Sequence, residues 1–237
     1  MKRRDFLMNG TTALGTSALL LHNNASGQTT AKIDESLRLT PPKEGAIPVA
    51  FVISPRWTVI DAMGPWEVFQ DVSVEGRPTG AFELYTVAES REPVVGSAGI
   101  RVVPNYTFAD APPPKVVVIG AQAGRAAAMF EWLKRAGGAA DVVMSVCTGA
   151  FILAESGLID GKQATTHHEF FDRFAEKFPK VALKRGRRFV EEKKFASAGG
   201  LTSGIDLALR VVERYFGRAV AEKTAFYMEY QSRDWMV

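Results

Sequence analysis

Three stretches of this chain carry almost no polar residue: Ile47-Pro48-Val49-Ala50-Phe51-Val52-Ile53, Val116-Val117-Val118-Ile119 and Val142-Val143-Met144-Ser145-Val146. Short continuous apolar runs suit strands buried on both faces, and such strands belong to parallel sheets covered by helices on each side. Helical spacing falls between them. A helix is expected near Trp57 to Val72, starting at Pro65, because proline is favoured in a first turn. A second is expected from about Gly124 to Arg135 with Gly137-Gly138 as its stop, and a third from Thr148 to Ser156 closed by Gly157. Phe82 to Val87 alternates as a strand does, and short strands are read at Ile100 to Pro104 and Ala164 to Thr166. A helix then covers about His168 to Phe178, and Arg188-Phe189-Val190 with Phe195 to Ala198 makes a hairpin. Helices over Thr202 to Phe216 and Ala219 to Gln231 finish the chain. Strands alternating with helices predict one α/β domain over residues 47–237, a mostly parallel sheet sandwiched by helices.

The first residues are a separate matter. Arg3-Arg4, one spacer and then Phe6-Leu7 form the twin-arginine export pattern. The weakly apolar stretch Leu14 to Leu21 is shorter than the ~20 residues a membrane span needs. Ala25 and Gly27 offer a cleavage site, so residues 1–27 are expected to be a signal peptide. Residues 28–46, polar and holding Pro41-Pro42, are expected to be a linker or N-terminal arm. Export would place the protein in the periplasm or outside the cell, with no stable membrane association after cleavage. The 237 residues carry 29 Lys and Arg against 26 Asp and Glu, a net charge of +3. Lys2, Arg3, Arg4 and Asp5 hold two of those charges, so the remainder is close to neutral, and nucleic-acid binding is not expected. The basic run Lys184-Arg185-Gly186-Arg187-Arg188, followed by Glu191-Glu192, reads as a solvated hairpin face.

There is one cysteine, which excludes an intramolecular disulfide. Cys147 follows a buried strand and precedes a helix, the strand–turn–helix order of a nucleophile elbow. Such a turn presents a short side chain at the carboxyl edge of a parallel sheet, where doubly wound folds bind ligands. The helix N-terminus beyond it would favour thiolate over thiol. The alternative is an inert interior cysteine. Beyond residue 27 the histidines are His167 and His168. Neighbours point in different directions, so one of them can face the thiol; His167 is the candidate and His168 a surface or capping residue. Asp61 lies in the turn after the first strand, flanked by Ile60, Met63 and Trp66. Partial desolvation would raise its pKa toward a general acid–base range, and the alternative is a helix cap ahead of Pro65. The pair Asp61 and Cys147 should then titrate as a coupled unit, leaving an activated, accessible thiol. One cysteine and two adjacent histidines do not make a zinc site.

Several ordered motifs together resemble the ThiJ/PfpI superfamily, the class I glutamine-amidotransferase-like proteins. They are Asp61-x-x-Gly64-Pro65-x-Glu67-Val68-Phe69, Ser145-Val146-Cys147-Thr148-Gly149-Ala150, Gly157-Leu158-Ile159-Asp160-Gly161, Ala164-Thr165-Thr166-His167 and Ser197-Ala198-Gly199-Gly200-Leu201-Thr202-Ser203-Gly204-Ile205-Asp206. The resemblance spans about residues 47 to 216 and is closest to the branch with isonitrile hydratase and the amidase-like domains of AraC-type regulators. It implies a flavodoxin-like sheet and, by position, catalytic roles for Asp61, Cys147 and Thr148. It also implies backbone donors facing the reacting centre at Gly120, Ala121 and Thr148, although the loop after Ile119 lacks the Gly-Gly pair common in relatives. Thr148 stands where protease-like members have histidine, which argues against peptidase activity. The regulator branch adds a DNA-binding unit, for which the residues after Phe216 are too few, so a transcription factor is not expected. The expected activity is hydration of an isonitrile to an N-substituted formamide with no metal or organic cofactor. The alternatives are cysteine chemistry on reactive carbonyls, or a redox sensor or small-molecule binder. A homodimer is also expected, with Tyr227, Tyr230 and Trp235 as interface candidates.

Overall fold

The computed structural model describes residues 34–78 and 80–237. The signal-peptide reading of residues 1–27 lies outside those residues, as does the start of the arm.

Alternation along the central strands explains the architecture. In β1 (Ile47–Val52), Val49 and Phe51 face one apolar layer while Ala50 and Val52 face the other. The same split divides Val116 and Val118 from Val117 and Ile119 in β6 (Val116–Ile119). It separates Val142, Met144 and Val146 from Val143 in β7 (Val142–Val146). A strand with two buried faces needs helices above and below, and the chain supplies them. On one side lie α1 (Val59–Gln70), α5 (Ser203–Phe216) and α6 (Arg218–Tyr227). On the other lie α2 (Ala127–Ala139), α3 (Gly149–Glu155) and α4 (Phe171–Lys177).

The sheet has seven strands in the order β10, β11, β7, β6, β1, β2, β5, where β2 is Phe82–Ala88, β5 Tyr106–Thr107, β10 Phe189–Glu192 and β11 Phe195–Ala198. All neighbours are parallel except the hairpin of β10 with β11. Two small two-stranded sheets complete it: β3 (Val94–Val95) with β4 (Arg101–Val102), and β8 (Gln163–Ala164) with β9 (Ala182–Leu183). The fold is thus an α/β sandwich around a mostly parallel sheet. Because β1, β6, β7 and β11 run the same way, the loops that follow them meet at one edge.

Three local expectations give way. Helix α1 begins at Val59 and keeps Pro65 inside it. Pro65 has no N–H for the carbonyl of Asp61, so packing must hold that turn. α1 lies close against α5, where a Cβ on Gly64 would meet Ile205 Cγ1 at 3.1 Å and one on Gly204 would meet Pro65 Cγ at 3.3 Å. Helix α2 starts at Ala127 and runs through Gly137 and Gly138 to Ala139; a Cβ on Gly137 would lie 3.1 Å from Leu158 Cδ1, so the glycine permits close packing and does not end the helix. Trp235, expected in an interface, is fully buried in its own domain with the Arg218 guanidinium over its ring.

The described part of the N-terminal arm is fastened to the domain. Arg214 Nε donates to Leu37 O at 2.8 Å, Leu39 N–H to Arg214 O at 2.9 Å, and Arg77 Nη1 to Gly45 O at 2.7 Å.

Candidate active site

Four parallel strand ends assemble the site. After β7 the chain turns at Cys147, whose φ of 57° is left-handed, a conformation that non-glycine residues seldom adopt. Its surroundings hold it there. Cys147 N–H donates to Gly199 O at 2.6 Å, and Thr166 Oγ1 donates to Cys147 O at 2.9 Å. Two residues on, Gly149 cannot be replaced without displacement, since a Cβ would lie 2.0 Å from Ile119 O. The start of α3 is therefore pressed onto the end of β6.

Asp61 comes from the first turn of α1 and is fully buried. Its Oδ2 accepts from Ala121 N–H at 2.9 Å. Gly120 passes so near that a Cβ there would sit 2.8 Å from Asp61 Cβ. The Cys147 thiol and the Leu201 N–H both act on the Asp61 carboxyl, yet Oδ1 closes no hydrogen bond of ordinary length. Slack of this kind at a catalytic group can tighten when a reactant arrives.

Burial pushes the Asp61 carboxyl up to about 6, against the pull of the Ala121 amide, the thiol and the Leu201 amide. Burial also pushes the Cys147 thiol up, to about 11, and the nearby Asp61 charge adds to it. The Thr148 and Leu201 N–H groups oppose that rise without overcoming it. The expectation of a thiolate favoured by the helix N-terminus is thereby corrected. Helix α3 has only seven residues, and burial beside a carboxylate outweighs its dipole end. Burial and the neighbouring carboxyl thus favour the neutral thiol over the thiolate, and the two groups titrate as a pair.

The other candidates are placed as follows. Thr148 directs its N–H at the sulfur. Ala121 N–H, expected to face the reacting centre, is committed to Asp61, and Gly120 serves by having no side chain. His167 is not joined to Cys147 by any hydrogen bond. Its Nδ1 accepts from Glu169 N–H at 3.3 Å, capping a short 3-10 turn, while its ring stacks on His168 and covers Gly200. Leu201 went unnoticed as a site residue; its φ of 51° aims its N–H at the pair. The Gly199-Gly200 pair before it is the signal that could have marked the turn. Among the described residues no group of three His, Cys, Asp or Glu is arranged to hold a metal ion. A cleft of about 850 Å³ opens beside the pair, and Thr166, His167, Gly199, Gly200 and Leu201 form part of its wall.

Residues 48–214 match the model of the DJ-1/PfpI family. The chain belongs to the DJ-1/PfpI family. It is 28% identical over 191 residues to the isonitrile hydratase of Pseudomonas putida, covering 78% of this chain and 79% of that protein. It is 33% identical over 146 residues to the HTH-type transcriptional regulator CdhR of Pseudomonas aeruginosa, covering 59% of this chain and 43% of the regulator. The chain thus spans under half of that regulator's length. A solved ThiJ/PfpI family protein from Pseudomonas syringae superposes with a TM-score of 0.69 at 26% identity, over 89% of this chain and 84% of the other. DJ-1beta of Drosophila melanogaster shares the fold alone, with a TM-score of 0.66 at 14% identity over 79% of this chain and all of the other.

Proposed function

We propose that this DJ-1/PfpI family protein is a cysteine-dependent hydro-lyase that adds water to an isonitrile and releases an N-substituted formamide. The observation that carries the reading is the placement of the Cys147 thiol, on its left-handed turn, beside the buried Asp61 carboxyl held by Ala121 N–H. An isonitrile needs a nucleophile and a proton delivered to the same carbon, and this pair offers both. As the sulfur attacks the terminal carbon, Asp61 takes the thiol proton and returns it to that carbon, giving the thioimidate R–N=CH–S–Cys. Asp61 then activates water, which adds its oxygen to carbon while the nitrogen gains a proton. The C–S bond breaks, the hydroxyl proton passes through Asp61 to the sulfur, and R–NH–CHO leaves with the thiol restored. The Thr148 and Leu201 amides face the sulfur and stabilise charge on it in both steps. The likeness to the Pseudomonas putida isonitrile hydratase supports the same reaction.

A second reading is a small-molecule receptor without turnover, favoured by the regulator relatives. A redox sensor fits less well, since sensor thiols are exposed and acidic whereas Cys147 is 7% exposed with its thiol pushed up to about 11. The deciding experiment incubates the purified protein with alkyl and aryl isonitriles, and with glyoxal, beside Cys147→Ser. Formamide production lost in Cys147→Ser is expected. Glyoxal consumption without isonitrile hydration, or hydration that survives Cys147→Ser, would reject the reading. The proposal includes twin-arginine export; Arg3→Lys with Arg4→Lys should leave the protein in the cytoplasmic fraction, and undiminished export would dismiss that part.

A further inference from the structure

We propose that the cleft beside the pair is an acid-recognition site, taking a ligand with a carboxylate at one end and a neutral reactive group at the other. Arg187 and Arg233 hold the acid. The inference rests on the hydration reading only in calling that ligand a substrate.

The sequence assigns the basic run Lys184 to Arg188 to solvent. Its members part company in the fold. Arg185 pairs with Asp172 at 2.6 Å. Arg188 pairs with buried Asp206 at 2.5 Å, donates to Thr202 Oγ1 at 2.9 Å and lies 4.0 Å from Asp234. Arg187 lines the cleft, and its side chain has no hydrogen bond or ion pair among the described residues. Arg233, from the segment after α6, lines the same cleft and is likewise unpaired. Asp234 is the one carboxylate side chain in the lining, and it sits by the already neutralised Arg188. The cleft therefore presents, from positions far apart in the chain, two guanidinium groups that no carboxylate side chain neutralises among the described residues.

Phe171, Phe189 and Leu201 supply apolar surface in the same cleft, enough for an aryl or alkyl body. The inner wall at Thr166 and Gly199 to Leu201 is the backbone that grips Cys147. Arg187 and Arg233 line the cleft, while Asp61 and Cys147 lie behind the wall that Gly199 and Leu201 form. An acid group is drawn to the guanidinium groups, which leaves the neutral end of the ligand for that inner wall. Guanidinium is the fitting cation, since its planar fork binds a carboxylate through two parallel hydrogen bonds.

The test uses Cys147→Ser protein and two stable formamides, 4-formamidobenzoate and 4-formamidobenzamide, titrated by calorimetry. The acid should bind roughly tenfold tighter than the amide, and the difference should shrink in high salt. Arg187→Gln and Arg233→Gln should each weaken the acid several-fold. Equal affinity for acid and amide, no binding of either at millimolar concentration, or unchanged acid affinity in both arginine variants would overturn the proposal. A parallel assay compares 4-isocyanobenzoate with its methyl ester on the enzyme with Cys147 intact, where the ratio of the two kcat/KM values should fall in the arginine variants. Acid-selective binding without hydration of either isonitrile leaves the recognition site standing and rejects the hydratase reading. Hydration without acid preference does the reverse.

Discussion

Two sets of buried ionisable side chains differ in how completely their charges are answered. Around the end of α5, Glu213 accepts from Arg210 at 2.9 Å and from Arg218 at 2.6 Å, while Glu191 accepts from Arg210 at 2.8 Å and contacts Arg214 at 3.4 Å. Arg214 also donates to the carbonyls of Leu37 and Lys193. Burial is the largest influence on Arg210, yet Glu191 and Glu213 outweigh it and hold the guanidinium charged. Arg214 is the exception in that cluster, since burial lowers its guanidinium from the ordinary value against the pull of Glu191. At the carboxyl edge burial prevails at both members of the pair. Asp61 has one firm donor, a second oxygen with none, and a thiol for company, so burial wins. Burial alone does not mark a reactive group. Burial with incomplete compensation does, because it places a proton where a small perturbation can move it.

Removing one member of each group tests that contrast most strongly. Asp61→Asn should lower turnover by about 10²–10⁴-fold, the span of a general acid–base. The same change removes the negative neighbour of Cys147, so the thiol pKa falls and iodoacetamide should alkylate it faster than in the unsubstituted protein. Slower alkylation in Asp61→Asn would contradict the origin assigned to the raised thiol. Glu213→Ala should act the other way round. It removes the Glu213 ion pairs with Arg210 and Arg218 and should cost about 3–5 kcal/mol of stability in urea unfolding, with turnover at saturating substrate retained. A loss below about 1 kcal/mol would show that the α5 cluster is less desolvated than its burial implies.

The pH dependence sharpens the comparison. Asp61 is raised in the folded state from 3.8 to about 6, so the folded protein binds more protons than the unfolded chain between those values. Its contribution is fully present below about pH 3.8 and is lost as pH rises through 6, a change of at most about 3 kcal/mol. Relative to Asp61→Asn, the unsubstituted protein should lose thermal stability from pH 4 to 7. Over the same window kcat/KM should climb with an apparent pKa near 6, as the carboxylate able to accept the thiol proton forms. A flat activity profile between pH 5 and 7 would remove Asp61 from that role. The smallest effect should come from the cleft wall. His167→Gln should change kcat by less than about tenfold, because the imidazole caps a turn and covers Gly200 and makes no hydrogen bond to Cys147. A loss as large as that of Asp61→Asn would restore His167 to the chemistry.

Much of the fold was legible because it follows from patterning. Val116 to Ile119 and Val142 to Val146 can be satisfied on both faces only inside a helix-covered sheet, and Cys147 at the end of the second such run implies the edge where it emerges. Misreadings came where a neighbour overrode a local signal. Pro65 reads as a helix start until the packing of α1 on α5 is known, and Gly137-Gly138 reads as a stop until Leu158 is seen against Gly137. Site electrostatics were legible in direction for Asp61, whose apolar flanks lie in sequence. They were not for Cys147, since its raised thiol depends on the depth of burial and on the distant Asp61. Leu201 escaped notice because its contribution is a backbone N–H, which no side-chain pattern reports. Arg187 was hidden inside a run of like residues that only the fold separates.

Gly149 has no room for a side chain against Ile119 O, and Gly120 has none against Asp61 Cβ. These two contacts weld Cys147 and Asp61 into one backbone unit that owes nothing to the arginines or aromatic rings of the cleft. On the proposed function, reactivity and recognition are therefore separately heritable. Substitutions at the cleft rim can retune what is bound while the welded pair stays in place. A lineage that replaced the sulfur alone would lose the reaction and keep a receptor. That separability gives a physical reason why one fold can serve relatives as different as an isonitrile hydratase and transcriptional regulators.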